Sequence, residues 1–250
     1  MKTRLRCVVA LWLLPLAAQA PSVVAPSVIT TDQEPHHHLL MKNDIVKVFE
    51  IDLAPRDAMS MHRHDYDEVL IAVGEATTVS TTPGQADILT ISKPGDVGFA
   101  RGGWEQSVRN IGQTAYHSIS IAPLRAQTGA RNLCGTQIPD LPANCPTATA
   151  DANAPRVSLP QFETDQLRVT LTRIHQRQQA TLGEADRDEL IVTIDEAAIA
   201  GAAGKRARAD QNDQKLAPGG AVWIARGGAG RILRNNSDKE VRVINFSFKP

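Results

Sequence analysis

Aromatic residues make up only 4% of this chain, and its 27 basic and 27 acidic residues cancel. So few aromatics leave little surface for stacking sugars, which argues against a lectin-like protein. Balanced charge without a basic run beyond the leader excludes nucleic acid or an anionic membrane surface as partner. Past residue 20 no apolar run is long enough to cross a bilayer. Long amphipathic helical patterns are nearly absent as well. The best short candidate is 196–203, weakened by Gly201 and Gly204. Cysteine is scarce, at three residues, and one of these is Cys7 near the start.

The chain opens with Lys2, Arg4 and Arg6, an apolar stretch from Val8 to Leu16, and the small-residue run Ala18-Gln19-Ala20. That layout predicts a signal peptide over 1–20 and a periplasmic or secreted protein. About 230 residues then remain, enough for one large domain or two small ones. In an oxidising compartment Cys134 and Cys145, close together in a loop, are expected to pair. Closing so short a loop contributes about 3 kcal/mol.

The remainder repeats itself. Ala100-Arg101-Gly102-Gly103 recurs as Ala225-Arg226-Gly227-Gly228, and Val108-Arg109-Asn110 as Leu233-Arg234-Asn235. Upstream, Lys93-Pro94-Gly95-Asp96 answers Ala217-Pro218-Gly219-Gly220, and Asp67 to Ile71 answers Asp188 to Val192. Matches in the same order, with an offset drifting as loops gain or lose residues, mean two copies of one domain. Each copy reads as short strands. Leu167, Val169 and Leu171 alternate with polar residues, as do Ile244, Phe246 and Phe248. Pro-Gly pairs at 83–84, 94–95 and 218–219 supply turns. Many short strands with frequent turns imply a sandwich or barrel. Residues 125–157, rich in Pro, Ala, Thr and Asn, read as a linker carrying the cysteine pair.

The first copy contains Met61-His62-Arg63-His64-Asp65-Tyr66-Asp67-Glu68. Strand side chains alternate faces, so His62 and His64 project together and Glu68 keeps their parity. Two imidazoles and a carboxylate so placed form a metal site with open positions. Asp65 and Asp67 have the opposite parity and face solvent or orient a ring. His36-His37-His38 reads as a polar edge or dimer-contact segment, or as a metal-capturing tract in which at most two rings serve one ion. His117 and Trp104 are candidate pocket residues, with packing as the alternative for each.

His62-x-His64-x-x-x-Glu68 with Gly74 beyond it resembles the first motif of the cupin superfamily. Pro94-Gly95-Asp96 followed by Gly103 and Asn110 resembles the second. Because both copies match, the chain is similar to a bicupin. The fold class this implies is all-β: two tandem double-stranded β-helix (jelly-roll/cupin) barrels. The segments are a signal peptide (1–20), an extended N-terminal segment (21–35), a metal-binding barrel (36–124), the linker (125–157) and a second barrel (158–250). The resemblance implies one divalent metal on His62, His64 and Glu68, with Gln106 or a water where the family places a fourth ligand, a histidine. A neutral amide oxygen favours iron or manganese over zinc or copper. In the second copy Gly183 and Ala185 fall at the histidine positions and Arg231 at that of Gln106, leaving only Glu189. That barrel is expected to be metal-free, with Arg231 pairing an acidic neighbour such as Glu189 or binding an anion. The resemblance further implies oxygenase or isomerase chemistry on a small organic molecule, and a homodimer. The alternative is a non-catalytic ligand-binding or structural envelope protein. No catalytic residue is assigned.

Overall fold

A computed structural model describes residues 28–138, 141–146, 154–200 and 214–250; the expected signal peptide lies outside them. Four β-sheets make two jelly-roll barrels in tandem. In the first barrel, one sheet runs in the order Ile29–Thr30, His62–His64, Trp104–Asn110, Ala76–Thr81, Ile88–Ser92. The facing sheet runs His37–Lys42, Val46–Leu53, Tyr116–Pro123, Glu68–Ala72, Val97–Ala100. The second barrel repeats the plan. One of its sheets runs Arg131–Asn132, Arg156–Glu163, Leu167–Ile174, Val241–Phe248, Asp188–Thr193, Ala221–Ile224, and the other Gln179–Leu182, Arg231–Arg234, Ala197–Ala200, Gln214–Leu216.

Strand alternation decides what each sheet faces. Val69, Ile71, Ile119 and Ile121 point away from the first barrel's interior, and Val169, Leu190, Ile244 and Phe246 away from the second's. The two sets form one continuous buried core, so the barrels share an apolar wall. Each fully buried side chain of this kind contributes about 1.5–3 kcal/mol. The opposite faces line the interiors, with Ile51, Leu53, Met59 and Val108 clustered in the first barrel and Ile174, Ile199 and Leu233 in the second. Arg242 adds a polar tie across the seam: it forks onto Asp195 at 2.9 Å and donates from Nη1 to the Pro94 carbonyl at 2.8 Å.

The repeated motifs have structural roles. Buried Asn110 donates to the carbonyls of Leu53 (3.0 Å) and Thr114 (2.8 Å), and Asn235 donates to those of Ile174 (3.0 Å) and Lys239 (2.6 Å). Asp67 Oδ1 accepts the Gly102 amide at 2.9 Å, as Asp188 Oδ1 accepts that of Arg226 at 2.9 Å. Gly102 runs so close to this turn that a Cβ would lie 2.6 Å from the Tyr66 carbonyl carbon.

Cys134 and Cys145 form a disulfide, Cα atoms 4.6 Å apart. Beside it, the amides of Cys134 and Gly135 bond the Gln161 carbonyl, and Gln137 N bonds the Val97 carbonyl at 3.1 Å. The stapled segment thus braces the seam between the barrels. One expectation is corrected: Ala197–Ala200 is a strand, not part of a helix. Its backbone is taken by ladders to Gln214–Leu216 and Arg231–Arg234, which outweigh the helical preference of alanine. Among the described residues no helix is long and apolar enough to cross a membrane.

Candidate metal centre

His62–His64 pairs antiparallel with Trp104–Asn110, so that His62 lies opposite Gln106 and His64 opposite Trp104. Alternation buries His62 and His64 and turns Arg63 outward, where it pairs Asp65 at 2.8 Å. The Nε2 atoms of His62 and His64 are 3.0 Å apart, and Gln106 Nε2 is 3.2 Å from that of His64. Rotating the Gln106 amide by half a turn, which leaves its shape unchanged, puts its oxygen in that position.

A third imidazole joins them. His37, from the neighbouring sheet, brings one ligand atom within 4.8 Å of those of His62 and His64. Its ring meets that of His62 edge-on, centroids 4.8 Å apart. The other nitrogen of each ring is held from outside. His62 Nδ1 faces the Ser60 carbonyl at 2.8 Å, His37 Nδ1 faces Glu34 at 3.0 Å, and His64 Nδ1 faces Glu68 Oε2 at 2.9 Å. Acceptors beside all three Nδ1 atoms orient the rings, and the Nε2 atoms of His62 and His64 meet at the shared centre. Trp104 stacks flat on His64, centroids 4.6 Å apart and planes 8° from parallel.

The electrostatics point the same way. Burial drives the His62 pKa down to about 4, with the charges on His64 and His37 adding to it, so its ring is neutral near pH 7. Burial also opposes charge on His64, but the Glu68 carboxylate outweighs that and raises its pKa. Glu68 is fully buried, which would raise its own pKa. The His64 charge and hydrogen bonds from His64 and Ser120 overcome this and hold it at about 2. Glu34, likewise buried, is held at about 2 by hydrogen bonds from His37 and His36. Two ionised carboxylates therefore flank three imidazoles, with no lysine or arginine among them. Two Nε2 atoms 3.0 Å apart are joined by a shared hydrogen or by a metal ion. The donor set fits a divalent transition ion.

The sequence-based candidates fall into groups. His62, His64 and Gln106 meet at one point. Glu68 stands on the outer side of His64, where it orients the ring. Trp104 walls the cluster. His117 lies elsewhere: it shares its face with Ile119 and Ile121, which is the seam between barrels, and pairs Glu50 at 2.9 Å. Asp67 holds the Gly102 turn and does not touch a histidine ring. Sequence reasoning left His37 open within its tract and gave Glu34 no role. Residues 28–34 are not a bare extension, since Ile29 pairs with His62 and Glu34 anchors both His36 and His37. The available signal was a lone carboxylate just before three histidines. The space beside the cluster, under Tyr66 and Lys47, is about 20 Å³, room for a water-sized occupant.

No known family model matches the sequence, and no curated protein is similar to it. Solved structures are similar in fold. AerE from Microcystis aeruginosa superposes with a TM-score of 0.56 at 9% identity, covering 87% of this chain and 99% of that one. Salicylate 1,2-dioxygenase from Pseudaminobacter salicylatoxidans gives 0.56 at 10% identity, covering 84% and 75%. Vicilin from Corylus avellana (hazelnut) gives 0.53 at 11%, covering 85% and 83%. At such identities the likeness is one of fold, and it supports the jelly-roll architecture of both barrels.

Proposed function

We propose that this is a secreted, metal-binding protein of the cupin type that holds one divalent ion in its first barrel. His62 and His64 form the heart of the site, with His37 and the Gln106 amide oxygen beside them and Glu68 fixing His64. The observation that carries this reading is the convergence of three imidazoles, the Nε2 atoms of His62 and His64 3.0 Å apart, whose Nδ1 partners are all oxygen acceptors. Three imidazoles and a neutral amide suit iron better than manganese, which favours oxygen-rich sites. When bound, iron supplies Lewis-acid and redox chemistry, and oxygenase or isomerase activity on a small molecule is the enzymatic reading. The fold likeness to a salicylate dioxygenase supports the oxygenase branch. Trp104 keeps bulk water from the rings, and Glu68 holds the proton on His64 Nδ1.

A space of about 20 Å³ favours a second reading, a non-catalytic metal or ligand binder. One experiment tests the metal centre on which both rest: metal content by mass spectrometry of protein exported to a periplasm, beside His62→Ala/His64→Ala. Stoichiometric iron lost in the variant is expected. Equal or absent metal in both proteins refutes the site. Stoichiometric zinc would leave the site but remove the oxygenase branch.

A further inference from the structure

The second barrel, stripped of metal ligands, is the roomier one. Its interior holds a cavity of about 370 Å³, against about 20 Å³ in the first. The cause is visible strand by strand. Phe49 pairs with Ser120 in the first barrel and fills the interior; its counterpart Thr170 pairs with Asn245 and leaves that space open. The cavity wall is built from rows of polar residues crossing adjacent strands. Arg168, Ser247 and Glu189 form one row, and Thr170 and Asn245 form the next.

These groups are only partly spent on one another. Asn245 Nδ2 donates to Glu189 at 2.8 Å, but Asn245 Oδ1 and Ser247 Oγ are buried without a partner. Arg168 has only a 3.5 Å contact with Glu163. Arg231 shares the inward face of Leu233 and lies opposite the cavity-lining Leu182, and its Nε is buried without an acceptor. Buried polar atoms left unpaired cost about 1–3 kcal/mol each, so several in one cavity mark a place where a ligand supplies the missing bonds. Of the three guanidinium groups in the lining, Arg187 pairs Glu184 at 2.9 Å and Arg156 donates to the Thr181 carbonyl at 2.7 Å, which leaves Arg168 the least engaged; the lining has no aromatic side chain. Guanidinium calls for a carboxylate, the amide oxygen for a hydroxyl donor, and the missing aromatics exclude a stacked ring. Among the described residues the one histidine cluster able to hold a metal lies in the other barrel.

We propose that the second barrel binds a small hydroxylated carboxylate of the sugar-acid type, its charge on Arg168 and its hydroxyls on Asn245 and Ser247. Glu189 is held in the wall by Asn245 Nδ2 and the Glu184 amide. This site is independent of the metal in the first barrel.

The test is calorimetric titration of the full chain with D-galacturonate and D-gluconate, and with neutral D-galactose as control. At least one acid is expected to bind once per chain, and galactose about tenfold more weakly than galacturonate. Thr170→Phe, which restores the filling side chain of the first barrel, is expected to abolish binding. Ser247→Ala, which keeps the fold intact if the larger change does not, weakens it about fivefold. His62→Ala/His64→Ala binds as the parent does. Absence of binding by both acids at about 10 mM, equal binding of galactose, or unchanged binding by Ser247→Ala would each overturn the proposal.

Discussion

Glu34 is the residue whose removal tests the electrostatics of the metal centre most directly. Its carboxylate accepts the His36 amide at 2.7 Å, His36 Nδ1 at 3.1 Å and His37 Nδ1 at 3.0 Å, all out of water. Holding its pKa near 2, where an exposed glutamate has 4.5, is worth about 3 kcal/mol at neutral pH. Glu34→Gln removes the charge and leaves an amide facing the same donors. Urea unfolding of both proteins, in chelator to keep metal out, is expected to show that gap at pH 7. The sign follows from the lowered pKa. The contribution is complete above pH 4.5 and is lost as pH falls toward 2, so the two stabilities converge in acid. Glu34 also raises the pKa of His36 and counters the lowering at His62, so part of the gap follows those rings. Equal stability at pH 7, or a gap that does not change with pH, would refute the account of Glu34 as a buried ionised anchor.

Three other outcomes are expected. Gly102→Ala places a Cβ 2.6 Å from the Tyr66 carbonyl carbon and should destabilise by about 2 kcal/mol, read as a lower Tm. Cys134→Ser/Cys145→Ser opens a bridge spanning 11 residues and should cost about 3 kcal/mol in chemical denaturation, matched by reductant on the parent. Ile71→Ala, in the core shared by both barrels, should cost about 3 kcal/mol. Calorimetry should then show one transition moving as a whole; two separate transitions would mean that the barrels do not stabilise each other.

Much of the architecture was written in local pattern. The Ala-Arg-Gly-Gly and Arg-Asn repeats mark turns and strand ends that recur in both barrels, and Asn110 and Asn235 do the same carbonyl-binding work. The period-two parity of His62 and His64 survives because one face of their strand is buried. What the pattern hides is which buried face is which. Ile119 and Ile121 look like barrel lining but form the wall between barrels, carrying His117 out to the seam. The assignment of Glu68 rested on parity and on the motif resemblance, and neither says on which side of a ring a carboxylate stops. His37 comes from a strand 25 residues before His62, joined to it only through the fold. The second barrel's counterparts also shift: Arg231 lies opposite Leu182 as Gln106 lies opposite His62, one residue from the Gly183 expected there. A loop that changed length displaced the match.

The flat stack of Trp104 on His64 gives the protein its own optical reporter. Its three tryptophans are Trp12, within the expected leader, Trp104, and Trp223 in the second barrel. Of the two described indoles, Trp104 touches the His64 ring and Trp223 stands apart against Phe248. Emission from Trp104 should dim as an ion draws density from the imidazole beneath it, while Trp223 stays constant. Occupancy of the first barrel can then be followed by fluorescence without a label.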